Sequence, residues 1–240
     1  MPRTDFVYLT FHRVNFVRGI TPVREQEWND WFDNVHLGEM SKALGAWTAT
    51  RWKVNPTGAN GPQYAALYQI EGADAPTKLA KLQAEWPQWW TNGRIHPEHT
   101  TILSTLVQPY GRWGTKRAPS ASVKAHHLVF STANDPNKLE EWDQWYQDVH
   151  SPDAISTGAF TTCVRCRPVP PPASGSMQLN WSRVTIYDIE NDEVEKTDAL
   201  AGSRIEQWRA AGRIHPNMCG VYNLVMKPTG KWAPLGLKAP

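Results

Sequence analysis

Cysteine and long hydrophobic runs are both scarce in this sequence of 240 residues. Only three cysteines occur, and two of them, Cys163 and Cys166, lie in a predicted strand, where positions three apart point to opposite faces. A metal or redox site built from two thiolates is therefore disfavoured. No apolar run approaches the roughly 20 residues that cross a bilayer, and residues 1–10 lack the apolar stretch of a signal peptide. We therefore expect a cytoplasmic protein without a membrane partner.

The sequence also lacks an excess of charge of either sign. Lysine and arginine total 25 against 23 for aspartate and glutamate, which gives a net charge of +2. This balance excludes the basic stripe that would neutralise the phosphates of a nucleic acid. Glycine-rich phosphate loops, nucleophile elbows and zinc-site spacings are missing too, so we expect neither a metal nor another cofactor. Tryptophan is abundant instead, and its 13 residues predict aromatic pockets, aromatic helix packing or both.

The sequence contains an internal duplication. The motif EWxxWFxxVH at 27–36 recurs as EWxxWYxxVH at 141–150, which is 114 residues later (150 − 36). The motif WxxxGRIHP at 89–97 recurs at 208–216, which is 119 residues later (215 − 96). Two such blocks in the same order are hard to obtain by chance, and the difference between the offsets fits an insertion in the proline-rich stretch 168–176. A duplicated fold is therefore predicted.

Both copies predict the same order of elements: strand, helix, strand, strand, helix, strand. Runs of β-branched and aromatic residues mark the strands, and apolar residues at i, i+3, i+4 and i+7 mark the helices. In the first copy the predicted strands are 6–14, 46–55, 63–71 and 100–108, and the predicted helices are 25–43 and 76–92. In the second copy the predicted strands are 122–133, 160–169, 178–189 and 218–227, and the predicted helices are 137–156 and 192–211.

This order is that of the ferredoxin-like split unit. Helices cover only one face of such an antiparallel sheet, so the other face needs a partner, which a duplicated chain provides internally. We therefore predict an α+β fold in which two tandem ferredoxin-like βαββαβ repeats pack their antiparallel sheets into an intramolecular barrel. The predicted boundaries are 1–113 for the first repeat, 114–121 for a linker, 122–232 for the second repeat and 233–240 for a C-terminal tail.

The segment EWDQWYQDVHSPDA at 141–154 resembles the first-helix signature of the dimeric α+β barrel superfamily, specifically its EthD-like branch. The resemblance implies a small-molecule cleft between each sheet and its own helices. It also implies a range of activities, because the superfamily includes cofactor-independent isomerases, cyclases, decarboxylases and oxygenases, as well as haem enzymes. The first copy departs from the pattern, since Phe32 replaces the tyrosine and no proline follows His36, so the second copy is closer to type.

Four residues are candidates for catalysis. His36 and His150 lie at the edge of the aromatic helical stripe, where an imidazole that titrates near neutral pH can move protons to or from a ligand. Tyr146 lies four residues before His150, so the two side chains can share one helix face. His127 completes this cluster if it faces the helices. The structural alternatives are that the helical histidines cap a helix C-terminus, that Tyr146 is core and that His127 lies at the barrel seam.

Seven further residues are candidates for substrate binding. The arginines of the two GRIHP motifs can clamp a carboxylate, and the histidines beside them can face the first-helix histidines across the cleft. The alternative is a duplicated turn whose arginines bond helix carbonyls. The carboxylate in the turn after His150 can orient that imidazole or simply be solvated. The candidates are Arg94, His96, Arg213, His215, Asp153, Trp31 and Trp145.

Three functions remain open from the sequence. The preferred hypothesis is a cofactor-independent lyase or isomerase that acts on a small aromatic or lactone-like substrate by histidine acid/base catalysis. The second is a non-catalytic small-ligand-binding or accessory protein. The third is a haem-binding α+β barrel protein that uses one of the histidines after the second helix. In each case the expected partner is a small molecule, and a homodimer of the duplicated chain is a further expectation.

Overall fold

The computed structural model describes residues 5–14, 21–56, 61–114, 123–176 and 181–229. Most of the predicted linker and all of the predicted tail lie outside these ranges. The chain divides into two compact units. The first unit consists of Met1–Gln108 and Val169–Gln178, and the second consists of Pro109–Pro168 and Leu179–Ala239.

The first unit has the predicted order of elements around a four-stranded antiparallel sheet. Its strands pair in the order β2, β3, β1, β4. A first helical stretch contains one π-helical turn between two α-helices, and the second helical stretch is a single α-helix. The elements are β1 (Asp5–Val14), α1 (Pro22–Trp31), the π-turn Phe32–His36, α2 (Leu37–Leu44), β2 (Ala46–Val54), β3 (Tyr64–Glu71), α3 (Ala75–Thr91) and β4 (His99–Gly114).

The second unit repeats this arrangement. Its strands pair in the order β6, β7, β5, β8, again antiparallel. The elements are β5 (Ala125–Ala133), a 3-10 turn (Pro136–Lys138), α4 (Leu139–Trp145), the π-turn Tyr146–His150, α5 (Ser151–Ser156), β6 (Thr162–Pro168), β7 (Arg183–Ile189), α6 (Val194–Ala210) and β8 (Met218–Pro228).

One predicted strand is too short. Strand β4 runs to Gly114, six residues beyond the predicted end at Gln108. The glycines, the proline and the basic residues of this stretch indicate a loop by composition. Pairing with β6, the neighbour of β4 in the strand order, overrides that local preference, because a paired strand satisfies its backbone hydrogen bonds.

The first helical stretch begins and ends on clear local signals. Thr21 adopts an extended conformation, and its side chain accepts a hydrogen bond from the backbone N–H of Arg24. Pro22 follows at the first helical position, where its missing N–H has no cost. The stretch ends at Gly45, which has a left-handed φ of 63°. These signals fix the position of the aromatic stripe between them.

Each π-turn ends at a histidine, His36 in the first unit and His150 in the second. A π-turn inserts one extra residue into a helix and redirects the side chains around it, and such turns are frequent at functional sites. Its recurrence at the same place in both copies shows that the duplicated motif specifies it. No helix among the described residues is long and apolar enough to span a membrane.

The core of each unit lies between its sheet and its helices. In the first unit the aromatic stripe is fully buried at Trp28 and Phe32, which pack with Tyr68 and Leu106 from the sheet. In the second unit Trp142 is fully buried at the position that matches Trp28. Burial of apolar side chains provides the main free energy of folding, and Trp28, Trp52, Trp89 and Trp142 are the tryptophans buried among the described residues.

Candidate functional site

Each unit contains a cavity in the cleft between its sheet and its helices. The first cavity has a volume of about 390 Å³, which lies within the roughly 300–1,000 Å³ typical of ligand pockets. The second, at about 130 Å³, is smaller. The polar and aromatic lining of the first cavity includes Tyr8, His12, His36, Trp86, Ser104 and Ser174. The corresponding lining of the second includes His127, Tyr146, His150, Tyr187, Asp198 and Trp208.

The two cavities occupy equivalent positions of the duplicated fold. His36 and His150 are related by the offset of 114 residues, and Tyr8 and His127 by the offset of 119. Of these two pairs, only the helical histidine is the same in both copies. The structure therefore places all four predicted catalytic residues in the cavities, with His36 in the first and His127, Tyr146 and His150 in the second.

The floor of the first cavity is strand β1, whose alternation places Tyr8, Thr10 and His12 on one face. The Thr10 hydroxyl donates to the carbonyl oxygen of Ala66 (3.2 Å), so it can only accept from Nε2 of His12 (2.8 Å). This relay fixes the His12 tautomer with the proton on Nε2. Its buried Nδ1 keeps a lone pair that has no partner in the described part of the chain.

One edge of the first cavity is formed by the segment 172–175, which pairs with strand β4. Ser104 and Ser174 exchange two backbone hydrogen bonds of 2.7 and 2.9 Å, and their hydroxyl oxygens lie 2.8 Å apart. Tyr8 shares a hydrogen bond with Ser104, although burial still raises the pKa of the Tyr8 phenol to about 12. Gly175 has a φ of +124°, and a Cβ there would lie 2.4 Å from the carbonyl oxygen of Ile102. Only glycine fits this close approach.

His36 lies on the helical wall of the first cavity, 1% exposed. Its ring stacks on Trp31 with centroids 4.7 Å apart and meets the edge of Trp86 at 5.9 Å. Burial lowers the pKa of His36 well below its ordinary value, and the proximity of His99, Arg51 and Arg94 lowers it further. The expectation that this imidazole titrates near neutral pH is therefore wrong, because desolvation keeps the ring neutral.

His36 belongs to a cluster of three buried imidazoles that the sequence analysis did not identify. The ring centroid of His99 lies 4.6 Å from that of His12 and 5.4 Å from that of His36. Burial lowers the pKa of all three rings, to about 3 for His99. Among the described residues no group of histidine, cysteine or carboxylate side chains has an arrangement that could hold a metal ion. The alternation of β1 was the available signal for His12.

His150 is the counterpart of His36 in the second cavity. Its ring stacks on Trp145 at 5.1 Å and meets Tyr146 at 4.5 Å, so the predicted shared face is present. Burial first, and then the nearby Arg165, lower the pKa of His150 to about 3. This histidine is therefore also neutral at physiological pH. The Tyr146 hydroxyl lies 3.1 Å from that of Tyr187 inside the core.

His127 faces the helices, as catalysis requires, and does not lie at the seam. Its Nδ1 contacts the Oδ1 atom of Asp198, which projects from α6. Its ring meets the edge of Phe160 at 5.5 Å and that of Tyr187 at 6.0 Å. Sequence analysis missed Asp198, because the first copy has Leu79 at the matching position and nothing in a helical pattern distinguishes one solvent-edge carboxylate from another.

A buried arginine packs against the first helical stretch in each unit. The guanidinium carbon of Arg165 lies 3.6 Å from the centre of the Tyr146 ring, and Nη2 donates to Asp143 over 3.1 Å. Its counterpart Arg51 lies 4.6 Å from the centre of the Phe32 ring and donates to a carboxylate on the same helical stretch. A cation over an aromatic face is stabilised by the ring quadrupole. These arginines also oppose protonation of the histidines above them.

The predicted substrate-binding arginines have other partners. Arg213 donates to Asp153 from both Nε (2.9 Å) and Nη2 (2.7 Å), and Arg94 donates to Glu39 from Nη2 (3.0 Å). Neither arginine is among the residues that line the cavities. The GRIHP motif therefore clamps the end of the second helix to the first helical stretch, since Glu39 and Asp153 are themselves related by the offset of 114.

The remaining candidates also serve this clamp. Nδ1 of His96 accepts from the backbone N–H of Glu98, and Nδ1 of His215 does the same for Asn217. The indole N–H groups of Trp31 and Trp145 donate to the carbonyl oxygens of the two motif arginines, at 3.2 and 3.1 Å. Trp31 and Trp145 thus support the cavity histidines from behind rather than line the cavities.

Comparisons with known proteins identify the fold. No family model and no curated protein matches the chain. A solved structure of a putative chlorite dismutase matches with a TM-score of 0.57 and 9% identity, over 94% of this chain and 95% of that chain. A mutant chlorite dismutase from Candidatus Nitrospira defluvii matches with a TM-score of 0.59 and 7% identity, over 95% of this chain and 92% of that chain. A heme-binding protein from Thermus thermophilus matches with a TM-score of 0.51 and 11% identity, over 94% of this chain and 91% of that chain.

At these identities the likeness shows the fold alone. The chain has the dimeric α+β barrel fold, with an eight-stranded antiparallel barrel built from duplicated ferredoxin-like units. This confirms the predicted fold class. The structural relatives include dismutases, monooxygenases and heme-binding proteins, so the fold does not select one chemistry.

Proposed function

We propose that the chain binds a small, uncharged, ring-containing molecule in the first cavity. The observation that supports this is the lining of that cavity, which combines apolar and aromatic side chains with hydroxyls and neutral imidazoles and includes no charged residue in the described part of the chain. Ligand sites typically have this composition, a mostly apolar surface with a few convergent polar groups. A charged ligand would lose its hydration without gaining a partner.

The polar groups of the lining indicate which functional groups the ligand carries. Tyr8, Ser104 and Ser174 form a hydroxyl chain along one edge, and His36 faces them from the helices. No hydrogen bond to the His36 ring is found among the described residues, and its buried Nδ1 has no partner there. Trp86 presents an indole against which a planar ring can stack. A phenol or aromatic ketone matches both the polar and the aromatic groups.

We further propose that the chain belongs to the EthD-like branch, which the helix motif at 141–154 supports. We also propose lyase or isomerase activity, for which the support is the presence of enzymes among the structural relatives. The lowered pKa of His36 and His150 argues against either one as an imidazolium acid at neutral pH. Acid/base chemistry is therefore better sought at a different imidazole.

Haem is a cofactor that the resemblance allows, and the residues present do not fit it. A haem site needs a neutral imidazole for the iron and partners for two propionate carboxylates. His36 is neutral, but no lysine or arginine is among the described residues that line the first cavity. The second cavity is too small for the macrocycle, and His96 and His215 line neither one. We expect added haem to show no Soret shift with this protein.

A pair of probes of matched shape tests the binding proposal. Neutral 1-naphthol is expected to quench tryptophan fluorescence saturably, while anionic 1-naphthoate binds at least about tenfold more weakly because no cation lines the cavity. His36→Phe should weaken 1-naphthol binding roughly fivefold to tenfold, the value of one hydrogen bond. The twin substitution His150→Phe is the control and should have no such effect. Equal affinity for both probes, or weaker 1-naphthol binding in His150→Phe but not in His36→Phe, would refute the proposal.

A further inference from the structure

The second cavity contains an imidazole–carboxylate pair that the first cavity lacks. His127 projects from β5 and Asp198 from α6, and Nδ1 of the ring contacts the carboxylate. A carboxylate can only accept, so the ring proton lies on Nδ1. The lone pair is then on Nε2, which has no hydrogen-bond partner in the described part of the chain, on a side chain that lines the cavity.

The duplication shows that this pair is not needed for the fold. At the matching positions the first copy has Tyr8 and Leu79, and its sheet and helices have the same arrangement. Both members of the pair are therefore particular to the second unit. A polar pair placed in a half-buried position without a structural need indicates a function, because burying polar groups costs free energy that an apolar pair does not.

From this geometry we propose that the second cavity is a general-base site, in which Nε2 of His127 removes a proton from a small aromatic carbon acid and Asp198 orients the imidazole. Phe160 and Tyr187 stack at 4.5 Å and supply an aromatic wall for the substrate ring. The other titratable groups that line the cavity are Tyr146 and His150. The inference does not depend on ligand binding in the first cavity, because its residues belong to the other unit.

The Kemp elimination of 5-nitrobenzisoxazole is a suitable probe, since it needs a base and an aromatic pocket but no cofactor. The C–H proton of the isoxazole ring moves to Nε2 of His127, and the C–H electron pair forms the third bond of a nitrile. The ring N–O bond breaks, and its electrons leave on the phenolate oxygen. The imidazolium then returns its proton to water, so the base is regenerated. A positioned base typically contributes about a hundredfold to ten-thousandfold in rate.

The wild-type protein is expected to catalyse this reaction saturably, above the rate of an equal concentration of free imidazole. His127→Tyr introduces the residue of the first copy and should abolish the excess rate, while thermal melting checks that the protein is folded. Lys196→Ala, on the exposed face of the same helix as Asp198, is the control and should keep the full rate. A wild-type rate no higher than that of imidazole, or a His127→Tyr variant that keeps the excess, would overturn the proposal.

Asp198 is assigned as a positioning residue, so its test uses a readout beyond rate. Asp198→Asn preserves shape but replaces a carboxylate, which can only accept, with an amide whose N–H can donate to Nδ1 and so favour the tautomer with the ring proton on Nε2; it should lower kcat at least about tenfold with little change in KM. Long-range proton–nitrogen NMR of His127 should show the Nδ1–H tautomer in the wild type and a shifted tautomer in the variant. An unchanged tautomer together with an unchanged kcat would remove Asp198 from the site.

Discussion

Lowering the pH from 7.5 to 5.0 is expected to destabilise this protein far more than its small net charge would suggest. Four histidines, His12, His36, His99 and His150, are buried and neutral in the folded state. Burial lowers the pKa of His99 and His150 to about 3, and that of His12 and His36 well below the ordinary value. In the unfolded chain each of these rings is solvated and titrates near 6.5.

The sign and size of the effect follow from these values. Between about pH 6.5 and the folded-state pKa, the unfolded chain binds protons that the folded protein excludes, so the free energy of unfolding falls as the pH falls. At pH 5 each of the two rings with a folded-state pKa of about 3, His99 and His150, contributes a loss of about 2 kcal/mol, since one pKa unit corresponds to about 1.4 kcal/mol. These two rings together lose about 4 kcal/mol, a large part of the roughly 5–15 kcal/mol by which whole domains are stable. Burial of His12 and His36 changes the free energy of unfolding in the same direction.

Urea unfolding followed by tryptophan fluorescence measures the effect at both pH values. Aspartate and glutamate titrate near 3.9 and 4.3 when unfolded, so pH 5.0 separates the histidine contribution from theirs. His150→Gln should reduce the difference between the two pH values by about 2 kcal/mol. Met40→Leu changes packing at the first cavity without changing a titratable group, so it should keep the full difference. A wild-type protein equally stable at both pH values would refute the account of these histidines as buried and neutral.

Three further predictions concern the buried arginines, the clamp and the strand-edge segment. Asp143→Ala leaves the fully buried Arg165 without its carboxylate and should lower the free energy of unfolding by about 3–5 kcal/mol; urea unfolding like that of the wild type would contradict this. Arg94→Ala removes a half-exposed ion pair and should cost less than about 1 kcal/mol without changing 1-naphthol affinity, whereas a loss of affinity would place Arg94 in the binding site. Gly175→Ala meets a carbonyl oxygen of β4 at a positive φ and should cost at least about 1 kcal/mol in the same assay.

The sequence alone predicted the fold because its strongest signals are local and repeated. Helical spacing of the aromatic stripe at 27–36 and 141–150 places the histidine at the end of each stripe, and the observed helices present His36 and His150 to the cavities. Two motifs in the same order in both copies predicted the duplication, and the ferredoxin-like order followed from the elements between them. None of these steps required knowledge of contacts distant in sequence.

The contacts that define the cavities depend on long-range pairing, and here prediction from sequence was weaker. His12 meets His99 only because β1 pairs with β4, and Asp198 meets His127 only because α6 packs over β5. Arg94 and Arg213 were predicted to bind the carboxylate of a substrate, but the carboxylates that they bind are side chains of this protein. Asp153 and its counterpart Glu39 share the offset of the first motif, so the duplication held a signal for this partner.

The duplication also separates structural residues from those that determine specificity. Residues that both copies retain, such as the stacked histidine of the π-turn and the arginine beneath it, maintain the shape of the cleft in either unit. Residues that differ at matching positions give the two clefts different polar groups, as with Tyr8 against His127 and Leu79 against Asp198. Because both units have the same order of strands and helices, exchanging these residues between copies changes the side chains while the backbone arrangement stays the same. Introducing Tyr8→His together with Leu79→Asp should therefore create base-catalysed elimination in the first cavity if the pair alone is sufficient, and leave it inactive if the aromatic wall of the second cavity is also required.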